Sequence, residues 1–343
     1  MSRRDADLRP VVRCVLDVRG VDLTGMEGSR LAEGVGRRMD VVGAADHEAY
    51  ADLLRQRPAE VALLFDALLA DRSSLAWGYD VYPRIEERFL VALDESLAPR
   101  GPELLYEMVG RLGLPPGAAV ADVGCGEGRH TVPLAERFGF DVVGIDPVRR
   151  HLDLGYVALA AAAERDPSLR DRVRFALGAV EALPVEDAAL DLIWFRDVLE
   201  HVEHLDRAFA EFHRVLRSGA HALVYSMFGG DGPLPDDVEW LWRAYENTTD
   251  SRDPAVVEAA MAAAGLRIQE RVVLGSEWGE FAEERAGAAT RRLLHTARML
   301  RARDRYVERF GQAAYDIMLS DCLWHVYRML GKLQGRVYLL SKP

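Results

Sequence analysis

Cysteine is scarce and lysine nearly absent. The three cysteines, Cys14, Cys125 and Cys322, lie far apart in the 343 residues. That supports neither a disulfide framework nor the paired spacing of a zinc site, so no metal is expected. No apolar run approaches the about 18 residues of a membrane helix. The opening MSRRDADLRP lacks the apolar core of a signal peptide. A cytoplasmic protein with no membrane partner is expected. Lysine occurs only at Lys332 and Lys342, so nearly all positive charge is arginine. Positive charge is also in deficit, with a net charge of −12. An acidic chain binds a phosphate backbone poorly, so no nucleic-acid partner is expected. The arginines between Arg291 and Arg305 form the one basic cluster. No G-x-S-x-G motif is present, and no cysteine has an obvious partner for nucleophilic catalysis.

What is present is a glycine loop. Residues 118–130 read AAVADVGCGEGRH. A short apolar run ends at Gly124, Gly126 and Gly128, and a segment with helical spacing follows. This is the strand, tight loop and helix that open a doubly wound α/β domain. A dinucleotide loop, G-x-G-x-x-G, would need its third glycine at Arg129 and fails there. Asp146 ends the next apolar run, where a carboxylate can take both ribose hydroxyls. Asp122 lies within the first strand. It would repel a pyrophosphate but suits an ammonium or sulfonium.

The D-x-G-x-G-x-G form resembles the first motif of class I S-adenosylmethionine (SAM)-dependent methyltransferases, and residues 110–278 with 334–343 resemble the type 11 small-molecule core. The resemblance implies a Rossmann-like α/β fold with seven strands, a SAM cofactor and S-adenosylhomocysteine as product. Asp122, Gly124, Cys125, Gly126, Asp146 and Pro147 would hold the methionine and ribose parts. Leu177–Pro184 resembles the adenine motif, with Ala179 where an aspartate is usual; Ala179, Val180 and Glu181 would serve the adenine. Phe195–Val202 resembles the loop that closes over the sulfonium, placing Arg196 there. Tyr79 and Arg84, in the aromatic stretch 76–84, would lie over the methionine end. Candidate general bases are His201, His325 and Glu277. His201 and His204 are three apart, but Glu203 and His204 should face solvent if Val202 and Leu205 face the core.

Three regions are expected: a helical module over 1–75, a helical connector over 76–117, and the core over 118–343. The module, GVDLTGMEGSRLAEGVGRRM through PAEVALLFDALL, looks like the N-terminal domain of chemotaxis-receptor methyltransferases. Helices are expected through Leu31, Val35 and Met39, then through Tyr50, Leu53 and Leu54 with Asp46 as cap, then from Pro58 with Val61, Leu63, Leu64, Phe65 and Leu68 inward. Strands are expected at 118–123, 141–146, 172–177, 190–195, 220–226, 267–274 and 336–340, the last antiparallel at the sheet edge by analogy. A helical insertion, 279–333, is expected to form a substrate lid.

The expected activity is direct in-line methyl transfer to a small molecule, with O-methylation of a secondary metabolite foremost. Two alternatives are carboxyl methylation of a protein, and a SAM-binding cyclase or regulatory protein without transfer. The aromatics of 77–82 are consistent with a homodimer.

Overall fold

The computed structural model describes residues 7–24, 26–69, 86, 90, 92–229, 236–244 and 250–343. Tyr79, Arg84 and the aromatics of 77–82 lie outside the described residues. The chain divides between Leu97 and Ala98 into two compact units, a boundary inside the stretch expected as connector.

The first unit has helices at Arg9–Arg19, Gly28–Val42, His47–Gln56 and Pro58–Leu69. The first was not among the expected helices, although Pro10 in its first turn and buried Val11, Cys14 and Val15 at helical spacing account for it. Asp46 caps the third helix, its carboxylate accepting from the Ala49 amide at 2.8 Å. Leu63, expected inward, is exposed. Leu64 takes the core-facing position, and adjacent helical residues point about 100° apart. Glu60 is buried, and both its oxygens accept from the Arg38 fork at 2.8 Å. Tyr50 also donates to Glu60, at 3.0 Å. The Arg38 hydrogen bonds hold the Glu60 carboxyl below its ordinary value.

The second unit is built on one seven-stranded sheet. Its strands are β1 (Ala119–Val123), β2 (Asp141–Asp146), β3 (Val173–Leu177), β4 (Leu190–Arg196), β5 (Leu216–Gly229), β6 (Arg267–Gly275) and β7 (Leu333–Ser341), in the order β3-β2-β1-β4-β5-β7-β6. β1 to β5 pair in parallel, while β7 runs antiparallel to both β5 and β6. The seven strands expected are all present, with one correction: β7 is not at the edge. Val337, Tyr338, Leu339 and Leu340 are buried on both faces, so β7 fits an interior position. β6 alternates exposed Arg267, Gln269, Arg271 and Val273 with half-buried residues, which suits an edge strand.

Helices cover both faces, giving two cores. Helix Glu103–Gly110 precedes β1 and buries Leu105, Tyr106, Met108 and Val109. Helix Thr131–Phe138 follows the glycine loop, and Arg149–Ala163 follows β2. The insertion between β6 and β7 forms helices Glu277–Ala286, Ala288–Arg301, Arg303–Phe310 and Gln312–Met329. Its apolar pattern is only partly buried: Met299, Tyr315 and Leu319 face inward, while Leu293, Leu294, Leu300, Met318 and Leu330 are exposed. No described helix is long and apolar enough to cross a membrane.

Candidate active site

The site is built at the carboxyl ends of β1, β2 and β4, where ligands sit in open α/β sheets. β1 stops because Gly124 takes φ +72°, a left-handed conformation that side chains with Cβ rarely adopt. A Cβ there would also meet Val198 Cγ2 at 2.3 Å. Gly124→Ala is therefore expected to destabilise the fold by about 2 kcal/mol and to weaken any ligand of the loop. A thermal melt against wild type checks it. At Gly126, φ is +50° and nothing lies within 4 Å of the Cβ direction, so the loop backbone is open to a ligand. The loop is anchored from below: the Gly124 and Cys125 amides donate to the Ile145 carbonyl at 2.7 and 3.0 Å.

Cys125 is buried in the loop, and burial pushes its thiol well above the ordinary range. It is a small packed side chain, with its thiol 3.6 Å from the Gly126 carbonyl oxygen. All three cysteines are free and buried.

Two carboxylates flank the loop. Asp122 pairs with Gly144 of β2 and Trp194 of β4 in the sheet and is 3% exposed. It accepts from Thr131 Oγ1 at 2.6 Å. Burial pushes its carboxyl up to about 7, with Thr131 and Arg196 acting in the opposite direction. A carboxylate so placed gains by receiving a cation. Asp146 is also buried. One oxygen accepts from the Gly126 amide at 2.9 Å, and the other from the Val148 amide at 2.9 Å and His151 Nδ1 at 3.0 Å. Asp146 thus fixes the loop and keeps lone-pair capacity for hydroxyl donors. Pro147, next to it, is exposed.

The third side was legible in the sequence only at Arg196. Arg196, at the end of β4, donates from Nη1 to His130 Nε2 at 2.7 Å. An arginine only donates, so Nε2 is the acceptor and the ring proton sits on Nδ1. Nδ1 then donates to the Tyr106 hydroxyl oxygen, 2.7 Å away. The chain of donors runs one way and leaves the Tyr106 O–H proton available. Burial, then Arg196, lower the His130 pKa to about 4, which keeps the ring neutral. Tyr106, His130 and Trp194 pack together, with ring centroids 4.9 Å (Tyr106–Trp194) and 5.3 Å (His130–Trp194) apart. His130 and Thr131 directly follow the last loop glycine, which is a signal; Tyr106 carries none beyond an apolar helix.

Arg196 also holds Asp197 at 3.1 Å and lies over Tyr225 and Trp278, 5.7 and 5.4 Å from their centroids. Asp197 adopts φ +55°, a strained conformation at the strand's exit. Glu200 is buried and accepts from the Met227 amide at 2.8 Å. Burial, then the Asp197 charge, push its carboxyl up to about 7.

The structure places the remaining candidates less centrally. Ala179, Val180 and Glu181 form a loop after β3, joined by a bridge from Ala179 to Ala182; Ala179 is exposed and Glu181 half-buried. His201 closes a short 3-10 turn, Leu199–His201, and is exposed. It does not share a helix with His204, which precedes the next helix at Leu205. Val202 and Leu205 are buried, and Glu203 and His204 exposed, as the pattern predicts. Among the described residues, no three His, Cys, Asp or Glu side chains converge as a metal site. Glu277 is not a free base: Arg100 Nε donates to it at 2.6 Å. His325 is half-buried on helix Gln312–Met329, with Asp321 at 4.0 Å. Burial, then Arg328 and Arg292, lower its pKa.

Residues 121–224 match the family of methyltransferase domains. Over 130 residues the chain is 32% identical to Methyltransferase GfsG of Streptomyces halstedii, covering 38% of this chain and 45% of that one. It is 31% identical over 131 residues to phosphoethanolamine N-methyltransferase 1 of Zea mays, covering 38% and 25%. The chain thus spans less than half the length of these relatives. Among solved structures, the [4+2]-cyclase SpnF aligns over 70% of this chain and 81% of its own, with a TM-score of 0.53 and 21% identity. Geranyl diphosphate C-methyltransferase from Streptomyces coelicolor A3(2) aligns over 80% and 87%, with a TM-score of 0.52 and 17% identity. The chain therefore carries a class I SAM-dependent methyltransferase domain, with the strand order and glycine loop of that fold.

Proposed function

We propose that the protein transfers a methyl group from SAM to a small-molecule acceptor. The observation that carries this is Asp122, a buried carboxylate at the mouth of an open glycine loop with no cation beside it but Arg196. The amino-acid end of SAM is a zwitterion. Asp122 would take its ammonium, and Tyr106 and Arg196 its carboxylate. Asp146 would take the ribose hydroxyls, and the Gly124–Gly126 backbone would lie along the ligand. The loop Ala179–Glu181 would border the adenine, with backbone groups and Glu181 doing what an aspartate would otherwise do. The cofactor supplies an activated methyl on a sulfonium; the protein's part is to align the acceptor, which can supply much of the rate.

O-methylation of a secondary metabolite remains the reading for the acceptor, with His201 and His325 as the bases. An imidazole is suited to take a hydroxyl proton near neutral pH. The helices of 277–329 would form the acceptor's lid. Calorimetry with S-adenosylhomocysteine tests the first step: saturable binding in the micromolar range is expected, and no heat up to about 1 mM would sink it.

A second reading, a SAM-binding cyclase, is favoured by one observation. Ala179 lacks the carboxylate usual at the adenine, and the fold aligns with that of the cyclase SpnF. Bound cofactor with no methylated product would support it.

A further inference from the structure

Beside the donor site, three buried side-chain N–H groups have no hydrogen-bond partner among the described residues: Trp194 Nε1, Trp278 Nε1 and Arg328 Nε. Trp194 and Trp278 join the same core on one face of the sheet. Trp278 is 4% exposed and stacks on Tyr225 with centroids 4.2 Å apart. Arg328 touches it, its Nη2 reaching the Trp278 carbonyl oxygen at 3.5 Å, the outer limit of a hydrogen bond. No described carboxylate lies within ion-pair distance of Arg328. The nearby Asp197 is taken by Arg196 at 3.1 Å, and Asp321 by Arg292. Arg328 feels the Asp197 charge at longer range but makes no close ion pair among the described residues.

Buried donors and buried charges are as a rule satisfied, because desolvation without a partner is costly. Here the surplus is of one kind. The guanidinium reaches the Trp278 backbone, and each of the two side chains carries a buried N–H that lacks an acceptor. The place is also right for the acceptor molecule. Arg196, which borders the presumed methionine end, lies 5.4 Å from the Trp278 ring. His325 is one helical turn before Arg328.

We propose that the methyl acceptor carries an oxyanion, a carboxylate or a phosphate, and that Arg328 and Trp278 bind it. This rests on the methyltransferase reading of the adjoining site. Arg328 anchors the anion with a charge-assisted bond, Trp278 Nε1 adds a second donor, and the Tyr225 and Trp278 rings shield the pair from water.

The test titrates inorganic phosphate, and separately benzoate, into the full-length chain with and without S-adenosylhomocysteine, following tryptophan fluorescence and heat. Saturable binding of at least one oxyanion in the range of about 1–10 mM is expected. Phosphate preference assigns a phosphate ester, and benzoate preference a carboxylic acid. Arg328→Gln should weaken binding about tenfold or more, and Trp278→Phe a few-fold. Arg309→Gln, on an exposed helix, should leave it unchanged. No saturation of either probe by about 50 mM, or equal binding by Arg328→Gln, would overturn the proposal. If Arg328→Gln melts early, Trp278→Phe decides in the same way. Failure of S-adenosylhomocysteine to bind refutes the cofactor reading by itself, since the oxyanion titration without cofactor does not depend on it.

Discussion

Asp122→Asn is expected to weaken cofactor binding severely and to make the cofactor-free protein more stable. Both effects follow from one buried carboxylate. In the unfolded chain Asp122 ionises near 3.8; in the fold, burial moves this to about 7. Between those values the native state holds a proton that the unfolded state has released. Stability therefore declines as pH rises from about 4 to 7, and the deficit is complete above 7. At about 1.4 kcal/mol per pH unit, the deficit is on the order of 4 kcal/mol. Asparagine keeps the shape and the Thr131 contact without the charge. The melting temperature of the variant at pH 8 should rise by about 5 °C, and the gain should vanish toward pH 4. The cost falls on binding. Without the carboxylate, affinity for S-adenosylhomocysteine should fall roughly 100-fold, the scale of a buried charge left unpaired. In the wild type, affinity should climb with pH through about 7, as Asp122 becomes ionised before the ligand arrives. Melts and calorimetry from pH 5 to 9 measure all three. A variant that is no more stable at pH 8 would refute the burial argument.

Arg196→Met is expected to have the next largest effect. Arg196 sets the whole donor chain: it fixes the His130 tautomer and, through it, the Tyr106 proton. In the proposed complex it would also supply the charge opposite the cofactor's carboxylate. Its loss should lower S-adenosylhomocysteine affinity about 30-fold, while 5′-methylthioadenosine, which has no amino-acid part, binds as before. His130 should then titrate above its value of about 4, since Arg196 is the largest charge holding it down, although burial keeps part of the shift. Imidazole NMR and paired titrations of the two ligands read this out. Equal losses for both ligands would show that Arg196 supports the loop and does not touch the carboxylate.

The glycine loop and its two carboxylates were legible because their constraints are local. Gly124 and Gly126 take positive φ, and Asp146 bonds the loop it serves and its own near neighbours Val148 and His151. Strands with buried faces also declare themselves by composition. Tyr106, His130, Trp194 and Arg196 did not declare themselves as a group, since their contacts span from residue 106 to residue 196. Nor could the sequence reveal that Glu277 is committed to Arg100, 177 residues away. The position of β7 was misjudged for a related reason. An apolar strand at the chain's end fits an edge by analogy, but only the sheet shows that β6 is the more polar of the two.

The sequence by itself determined the fold class, the loop and the kind of ligand the loop accepts, because backbone conformation at glycine and the alternation of strand and helix are properties of near neighbours. The tertiary structure alone decided how charge is distributed around that loop. Burial raised Asp122, a chain of donors crossed from β4 to the helix before β1, and Arg328 was left against the Trp278 carbonyl without a close ion pair among the described residues. Solvent exclusion and pairing depend on what other segments bring to the same place, and no local pattern records that.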